Sequence, residues 1–172
     1  TGERTLLLDD LPVRGIELGA SLALGADGNT LFMLAGSNDG FLLSLNLTTG
    51  ERQTLSGEDP DTGDLIGGPA FALFGCFGMA LDETRHRAFI TCPSGNIQQV
   101  DLDTGQVSVV SGNSEEINTG GAGPGLVDPV ALIADLDNQR LLVLDMAQRA
   151  VMTADLRSGD RVVNSWTDVI MR

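Results

Sequence analysis

The sequence predicts an all-β protein whose four-stranded antiparallel sheets are arranged as the blades of a β-propeller. One observation is a turn ending in Gly that recurs as "TTG" at 48–50, "DTG" at 103–105 and "RSG" at 157–159, with a further "TG" at 1–2. These glycines are 48, 55 and 54 residues apart, close to the length of a propeller blade. The other observation is that strand-like segments recur in the same order between the turns, without a helical period.

The repeating units can be aligned over residues 21–50, 78–105 and 131–159. Each predicts a short apolar strand, a polar turn, two further strands, the Gly turn and a fourth strand. The first strands, "LAL", "MAL" and "ALIA", have the apolar character of strands buried on both faces. The fourth strand, as in "QVSVVS", alternates apolar and polar residues like an exposed outer strand.

The alignment predicts one partial propeller domain over residues 1–172. Residues 1–10 form the outer strand of a preceding blade, and the three blades cover 11–56, 57–111 and 112–172. A closed propeller needs at least about four blades, so further chain or oligomerisation must complete it. The predicted fourth strand "RVVNSW" makes the outer strand at 1–10 redundant, which favours a fragment of a longer chain over a three-plus-three dimer.

The amino-acid composition limits the classes of partner that the chain could bind. The chain has 24 acidic residues and 10 basic ones, and its net charge is −14. This charge argues against nucleic acid and against anionic membrane surfaces, because both need neutralising cations. It favours basic partners or divalent cations, although a soluble acidic surface would have the same composition. No apolar run approaches the roughly 20 residues that span a bilayer.

The segment "GPGLVDPVALIADLDNQRLLVLDMAQRAVMTADL" at 123–156 resembles an NHL-type propeller repeat. Such repeats have a Gly/Pro-rich start, a short apolar strand ending in Asp, and an Asp–x–x–x–Arg pair, which Asp145 and Arg149 match. Cys92 and Ala35 stand in the place of this Asp in the other two units. The resemblance extends to the six-bladed group that includes gluconolactonase-like proteins. In that group, channel carboxylates and an Asn hold a divalent metal, but the matching Glu and Asn are not identifiable here.

Propellers usually bind ligands on the face formed by the blade-joining loops and the loops between the second and third strands. Here the blade-joining loops are 9–19, 56–77 and 111–129, and long loops rich in acids and Gly often carry function. Asp145 could instead pair with Arg149 or cap backbone N–H groups, and the phenylalanines could pack between blades. The candidate ligand- or partner-binding residues are Asp39, Phe71, Phe74, Glu115, Glu116, Asp128 and Asp145.

The loop "GEDPDTGD" at 57–64 is a candidate calcium site, because it places Asp59, Asp61 and Asp64 close together beside turn-forming Gly. The bidentate Glu of a full calcium loop is missing. A solvated acidic turn is the alternative, since Asp before Pro and near Gly also favours turns. Calcium is the one cofactor that the sequence predicts.

The two cysteines are predicted to form a disulfide. If the turn of the second unit is centred near 84–85, then Cys76 and Cys92 lie opposite each other. Such a bridge implies an oxidising location, secreted, periplasmic or at the cell surface. Two small buried apolar side chains are the alternative. The single histidine, His86, lies in a predicted turn, which excludes catalytic sites of the Ser–His–Asp and Cys–His types and zinc sites built from several histidines.

These observations favour a secreted or periplasmic propeller module that presents acidic loops to a protein or glycan partner. A divalent-metal-dependent lactonase or other hydrolase using Asp128 and Asp145 is an alternative. A unit that completes its propeller by self-assembly is another. Fold by itself does not decide between them.

Overall fold

The computed structural model describes residues 21–35, 40–68, 73–112 and 121–166. These residues form three antiparallel sheets, and in each sheet the strands lie side by side in chain order. Blade 1 contains β1 (Ser21–Leu24), β2 (Thr30–Ala35), β3 (Phe41–Asn46), β4 (Arg52–Glu58) and β5 (Leu65–Ile66). Blade 2 contains β6 (Met79–Asp82), β7 (Arg87–Cys92), β8 (Asn96–Asp101) and β9 (Val107–Gly112). Blade 3 contains β10 (Pro129–Asp135), β11 (Arg140–Asp145), β12 (Ala150–Asp155) and β13 (Arg161–Trp166).

This architecture confirms the predicted fold class, an all-β partial propeller of four-stranded blades. The predicted outer strand at 1–10 lies outside the described residues. The sequence did not predict β5, which pairs with the end of β4 and makes blade 1 five-stranded.

The recurring Gly turn joins the third and fourth strands of every blade. In blade 2, Asp101 Oδ1 accepts the backbone N–H groups of Asp103 and Thr104, and the N–H of Gly105 donates to the Asp101 carbonyl. Gly105 has φ 73°, a conformation that glycine adopts without strain. The other two turns have the same pattern. The side chains of Asn46 and Asp155 accept two backbone N–H groups each, and their carbonyls accept the N–H groups of Gly50 and Gly159.

Each outer strand contains a β-bulge at the same position. The pairing skips one residue where the outer strand faces the third strand. The extra residues are Leu55, Val110 and Asn164. A bulge increases the local twist of a strand. The three blades therefore share the bulge in the outer strand as well as the Gly turn.

Apolar side chains fill the spaces between neighbouring blades. One cluster joins Phe32, Leu34 and Leu42 of blade 1 to Ile90 of blade 2. A second cluster joins blade 2 to blade 3 and includes Phe89 and Met152. Burial of such side chains contributes about 1.5–3 kcal/mol each, so these two interfaces stabilise the blade arrangement.

The Gly turn of one blade also contacts the outer strand of the preceding blade. The buried Ser56 hydroxyl donates to the Gly105 carbonyl at 2.7 Å, and the buried Ser111 hydroxyl donates to the Gly159 carbonyl at 2.6 Å. Each serine follows directly after the bulge residue of its strand. The turn therefore closes a hairpin within its own blade and also binds the neighbouring blade.

Candidate functional site

The loops that join successive blades lie on the turns between the second and third strands. A Cβ added to Gly40, before β3, would lie 2.1 Å from the Leu73 carbonyl oxygen. A Cβ added to Gly95, before β8, would lie 2.4 Å from the Leu126 carbonyl oxygen. Only glycine permits this approach of two backbones. We call this end of the blades the top face, formed in the described residues by 40, 73–78, 93–95, 126–128 and 146–149.

In two blades, a loop of the top face has a buried apolar residue followed by an exposed apolar residue at the same position. Leu73 and Leu126 are buried, whereas the residues that follow them, Phe74 and Val127, are 50% and 58% exposed. Met146 is 59% exposed, and its N–H donates to the Asp128 carbonyl at 2.9 Å. The predicted candidate Phe74 is therefore on the surface, while Val127 and Met146 were missed. The sequence contains a signal for Val127: "LV" precedes Asp135 by the same number of residues as "LF" precedes Asp82, so Val127 is the equivalent of Phe74.

Asp145 is fully buried and holds two loops of blade 3 together. Its Oδ2 accepts the N–H of Val127 at 2.7 Å and that of Asp128 at 3.2 Å. Its Oδ1 accepts the N–H of Gln148 at 2.9 Å. This geometry corresponds to the alternative in which the carboxylate caps backbone N–H groups. Asp145 thus positions Val127, and the half-buried Asp128 lies beside it.

The acidic segment 59–64 is a further copy of the recurring turn. Asp59 Oδ1 accepts the N–H groups of Asp61 and Thr62, and the N–H of Gly63 donates to the Asp59 carbonyl. Gly63 has φ 76°. The turn joins β4 to β5, as the equivalent turns join third and fourth strands. The signal was present in the sequence, because "DTG" at 61–63 repeats "DTG" at 103–105.

The carboxylates of Asp59 and Asp61 in this turn have protein partners. A side-chain hydrogen bond from Thr54 contributes most to lowering the pKa of Asp59 below its ordinary value, and bonds from the turn lower it further. Both carboxylate oxygens of Asp61 accept from Arg52 Nη2 at 2.8 Å. The backbone N–H of Asp64 donates to Thr62 Oγ1 at 3.1 Å. In the described part of the chain, no three or more His, Cys, Asp or Glu side chains are grouped so that they could hold a metal ion.

Four predicted candidates, Asp39, Phe71, Glu115 and Glu116, lie outside the described residues and stay predictions.

Cys76 and Cys92 form the predicted disulfide. The pairing of Met79 with Ile90 matches the turn position from which the bridge was predicted. Both cysteines are buried, so the bridge lies inside the cluster between blades 1 and 2. It ties the blade-joining loop of blade 2 to the end of β7.

His86 lies at the opposite end of blade 2, as predicted for a turn residue. It follows a 3₁₀ turn over Glu83–Arg85 and has φ 48°. Its Nδ1 lies 3.0 Å from Asp103 Oδ1. This hydrogen bond raises the pKa of the exposed imidazole above its ordinary value, and the charges of Asp103 and Asp101 add to the effect.

Comparison with known proteins supports the fold. No protein-family model and no curated protein matches this sequence. A crystal structure of a nidogen/laminin complex aligns with 86% of this chain at TM-score 0.61 and 19% identity, covering 48% of the matched chain. A structural genomics protein of unknown function from Bacteroides thetaiotaomicron aligns with 83% of this chain at TM-score 0.59 and 15% identity, covering 32% of that protein.

The chain thus spans about half or less of the structures that it resembles. At these identities the likeness concerns the fold alone. The described residues contain no helix that is long and apolar enough to cross a membrane. The chain is similar to part of larger proteins with a propeller fold.

Proposed function

We propose that this chain is part of a propeller module that binds a partner protein through its top face. The observation that carries the proposal is the repeated presentation of an exposed apolar residue, Phe74 in blade 2 and Val127 in blade 3. A single exposed apolar side chain is common on protein surfaces. Two at equivalent positions on one face, with the exposed Met146 bonded to the backbone next to Val127, are more typical of an interaction surface.

The backbone around these residues favours binding. Leu73 and Leu126 anchor the two loops in the core, and the Gly40 and Gly95 contacts leave little room for the loops to shift. Asp145 holds Val127 with a buried carboxylate. Side chains held on a fixed backbone lose less conformational entropy when a partner binds, which increases affinity.

Charge suggests the character of the partner. The chain has a net charge of −14, and Asp128 lies next to Val127. A partner with a basic rim around an apolar centre would match this surface, and attraction would increase its association rate. The nidogen/laminin structure, which contains a chain with this fold, is a complex of two proteins. The disulfide supports a secreted, periplasmic or cell-surface location.

The test is partner capture with matched surface variants. The triple variant Phe74→Ser, Val127→Ser and Met146→Ser removes the top-face side chains. Its control is the double variant Leu65→Ser and Val162→Ser, which removes exposed apolar side chains elsewhere. Extracellular proteins of the source organism are passed over the immobilised parent and both variants, and retained proteins are identified by mass spectrometry.

We expect at least one protein to be retained by the parent and by the control but not by the triple variant. Equal retention by all three proteins would contradict the role of the top face. Circular dichroism of the triple variant would show that loss of binding is not caused by unfolding.

Calcium binding at 59–64 stays a prediction. A calcium ion would have to compete with Arg52 for Asp61. We therefore expect about 1 mM calcium to raise the unfolding midpoint of the parent and to raise that of Arg52→Gln further. Unchanged midpoints in both proteins would remove the calcium prediction. The glycan-binding, hydrolase and self-assembly alternatives likewise stay predictions.

A further inference from the structure

An arginine of blade 2 fills the space beside the interface between blades 2 and 3. Arg87 Nε donates to Asp82 Oδ2 at 2.8 Å, and its Nη1 donates to Gln99 Oε1 at 2.9 Å. Its guanidinium carbon lies 4.8 Å from the ring centre of Phe89, which is a cation–π distance. The side chain is only 18% exposed. Blade 2 thus shows how this fold holds a guanidinium group.

Strand pairing identifies the equivalent positions in blade 1. Arg87 pairs with Asp101 at the start of β7, and Thr30 pairs with Asn46 at the start of β2. Phe89 faces Gln99 two residues further along, and Phe32 faces Ser44. Blade 1 therefore keeps the aromatic ring, but a short threonine replaces the arginine and a short serine replaces the glutamine.

The smaller side chains leave a groove between blades 1 and 2. Its volume is about 220 Å³. Phe32, Leu55 and Leu102 line its apolar side, and Thr30, Ser44, Glu83 and His86 line its polar side. The His86 imidazole is paired with Asp103, whose carboxylate offsets the charge of the protonated ring. An apolar cavity of about 150 Å³ is large enough for benzene, so this groove has room for a guanidinium group and part of its alkyl chain.

A carboxylate is also present in the groove, although it comes from the 3₁₀ turn of the neighbouring blade. The equivalent of Asp82 in blade 1 is Gly25, which has no side chain. Glu83 of blade 2 extends towards it: Glu83 Oε1 accepts the N–H of Ala26 at 2.7 Å. Its Oε2 lies 3.4 Å from the position that a Cβ on Gly25 would occupy. Blade 3 has Leu136 in place of Glu83, so of the two spaces between described blades, the one between blades 1 and 2 has this carboxylate and the one between blades 2 and 3 does not.

We propose that the groove between blades 1 and 2 binds the guanidinium group of an arginine-like ligand. The Phe32 ring provides the aromatic face, Glu83 provides the carboxylate, and Ser44 provides a hydroxyl acceptor. Guanidinium suits such a site because it stacks on aromatic rings and pairs with carboxylates. The groove lies at the end of the blades opposite the top face, so it is a separate site that does not depend on the proposed function.

The first measurement is titration of the whole chain with agmatine by isothermal calorimetry or ligand-observed NMR. The ureido analogue of agmatine keeps the ammonium group and the planar shape but replaces the charged guanidinium by a neutral group, and cadaverine has two ammonium charges without the planar group. We expect agmatine to bind at least about tenfold more tightly than either, because charge-assisted planar contacts favour guanidinium. A blocked Gly-Arg-Gly peptide distinguishes the sources: binding as tight as that of agmatine indicates a partner's arginine, and weaker binding indicates a free small molecule.

Variants locate the site. Glu83→Gln keeps an acceptor for the Ala26 N–H and should weaken agmatine binding at least about tenfold. Thr30→Arg with Ser44→Gln supplies the arginine and amide of blade 2, and should abolish binding by filling the groove. Asp137→Asn removes one exposed charge on blade 3 and should leave binding unchanged.

No agmatine binding up to about 10 mM would overturn the proposal, since a weaker site would not be specific. So would equal binding of the ureido analogue or of cadaverine. Unaltered binding to the variant that fills the groove would show that agmatine binds elsewhere. None of these outcomes concerns capture of a protein by the top face, so the two proposals fail independently.

Discussion

Replacing two glycines of the same turn type by alanine should separate the local cost of the turn from the cost of the contact between blades. Gly63 and Gly105 have φ 76° and 73°, and both end an Asp–x–Asp–Thr–Gly turn. Nothing lies within 4 Å of a Cβ added to Gly63, whereas a Cβ on Gly105 would lie 2.2 Å from the Leu55 carbonyl oxygen. Alanine at either position would therefore have the same backbone strain, but of these two positions a steric clash with the neighbouring blade would arise at Gly105 alone.

The expected magnitudes follow from these distances. Alanine in the left-handed region costs about 1 kcal/mol, which is the whole effect expected for Gly63→Ala. Gly105→Ala must also push the turn away from blade 1, which breaks the buried bond from Ser56 Oγ to the Gly105 carbonyl. Leaving buried partners unsatisfied adds about 1–3 kcal/mol. We therefore expect Gly105→Ala to lower the free energy of unfolding by about 2–4 kcal/mol.

Urea denaturation followed by circular dichroism measures both changes, and thermal melting gives a second reading. For a chain of this size, 1 kcal/mol corresponds to about 2–4 °C, so we expect losses of about 3 °C for Gly63→Ala and about 6–12 °C for Gly105→Ala. Equal losses in the two variants would refute the conclusion that the turn carries an interface between blades. A loss of about 3 kcal/mol in Gly63→Ala would refute it as well.

Two other features give further predictions. Replacing Cys76 and Cys92 by Ala should lower the free energy of unfolding by about 3 kcal/mol, because a bridge closing a loop of this length constrains the unfolded chain; dithiothreitol should lower the parent to the same midpoint in urea denaturation. NMR titration of the single histidine should give His86 a pKa above about 6.5 that falls towards 6.5 in Asp103→Asn but not in the control Asp160→Asn.

The sign of the histidine effect follows from the raised pKa. The stability that the His86–Asp103 contact contributes is fully present below the unfolded-state pKa of about 6.5 and is lost as pH rises through the folded-state pKa. An unchanged pKa in Asp103→Asn would contradict the hydrogen bond. If the parent and the cysteine variant had the same midpoint without reductant, the bridge would not stabilise the fold.

Much of the scaffold could be predicted because its signals are local. The recurring turn needs an Asp or Asn to accept two N–H groups and a Gly with positive φ four residues later, and both features can be seen in the sequence. The disulfide followed from the position of one turn. The same signal is present at Asp59–Gly63, where the sequence predicts either a calcium site or an acidic turn, because a cluster of carboxylates and a capped turn have the same composition.

The candidate sites were less predictable because exposure depends on neighbouring blades. The sequence offers Asp145 both as a channel carboxylate and as a cap for backbone N–H groups, and the fold shows that its two oxygens accept N–H groups from two loops. Val127 has the sequence character of a core residue, but the close contact of Leu126 with Gly95 and the bond from its own N–H to Asp145 leave its side chain exposed. A pattern of apolar residues cannot show which member of such a pair remains on the surface.

The sequence by itself determined the repeat, the order of strands within each blade and the turn that closes it. Turn chemistry and the alternation of strands act over a few residues, so they can be seen without the fold. Only the tertiary structure decided which copies of a motif also contact a neighbouring blade or line a groove. Ser56 reaches a turn 49 residues away, and Thr30 and Ser44 leave a groove where blade 2 has an arginine. These differences arise because each blade is completed by its neighbours, whose side chains come from distant parts of the chain.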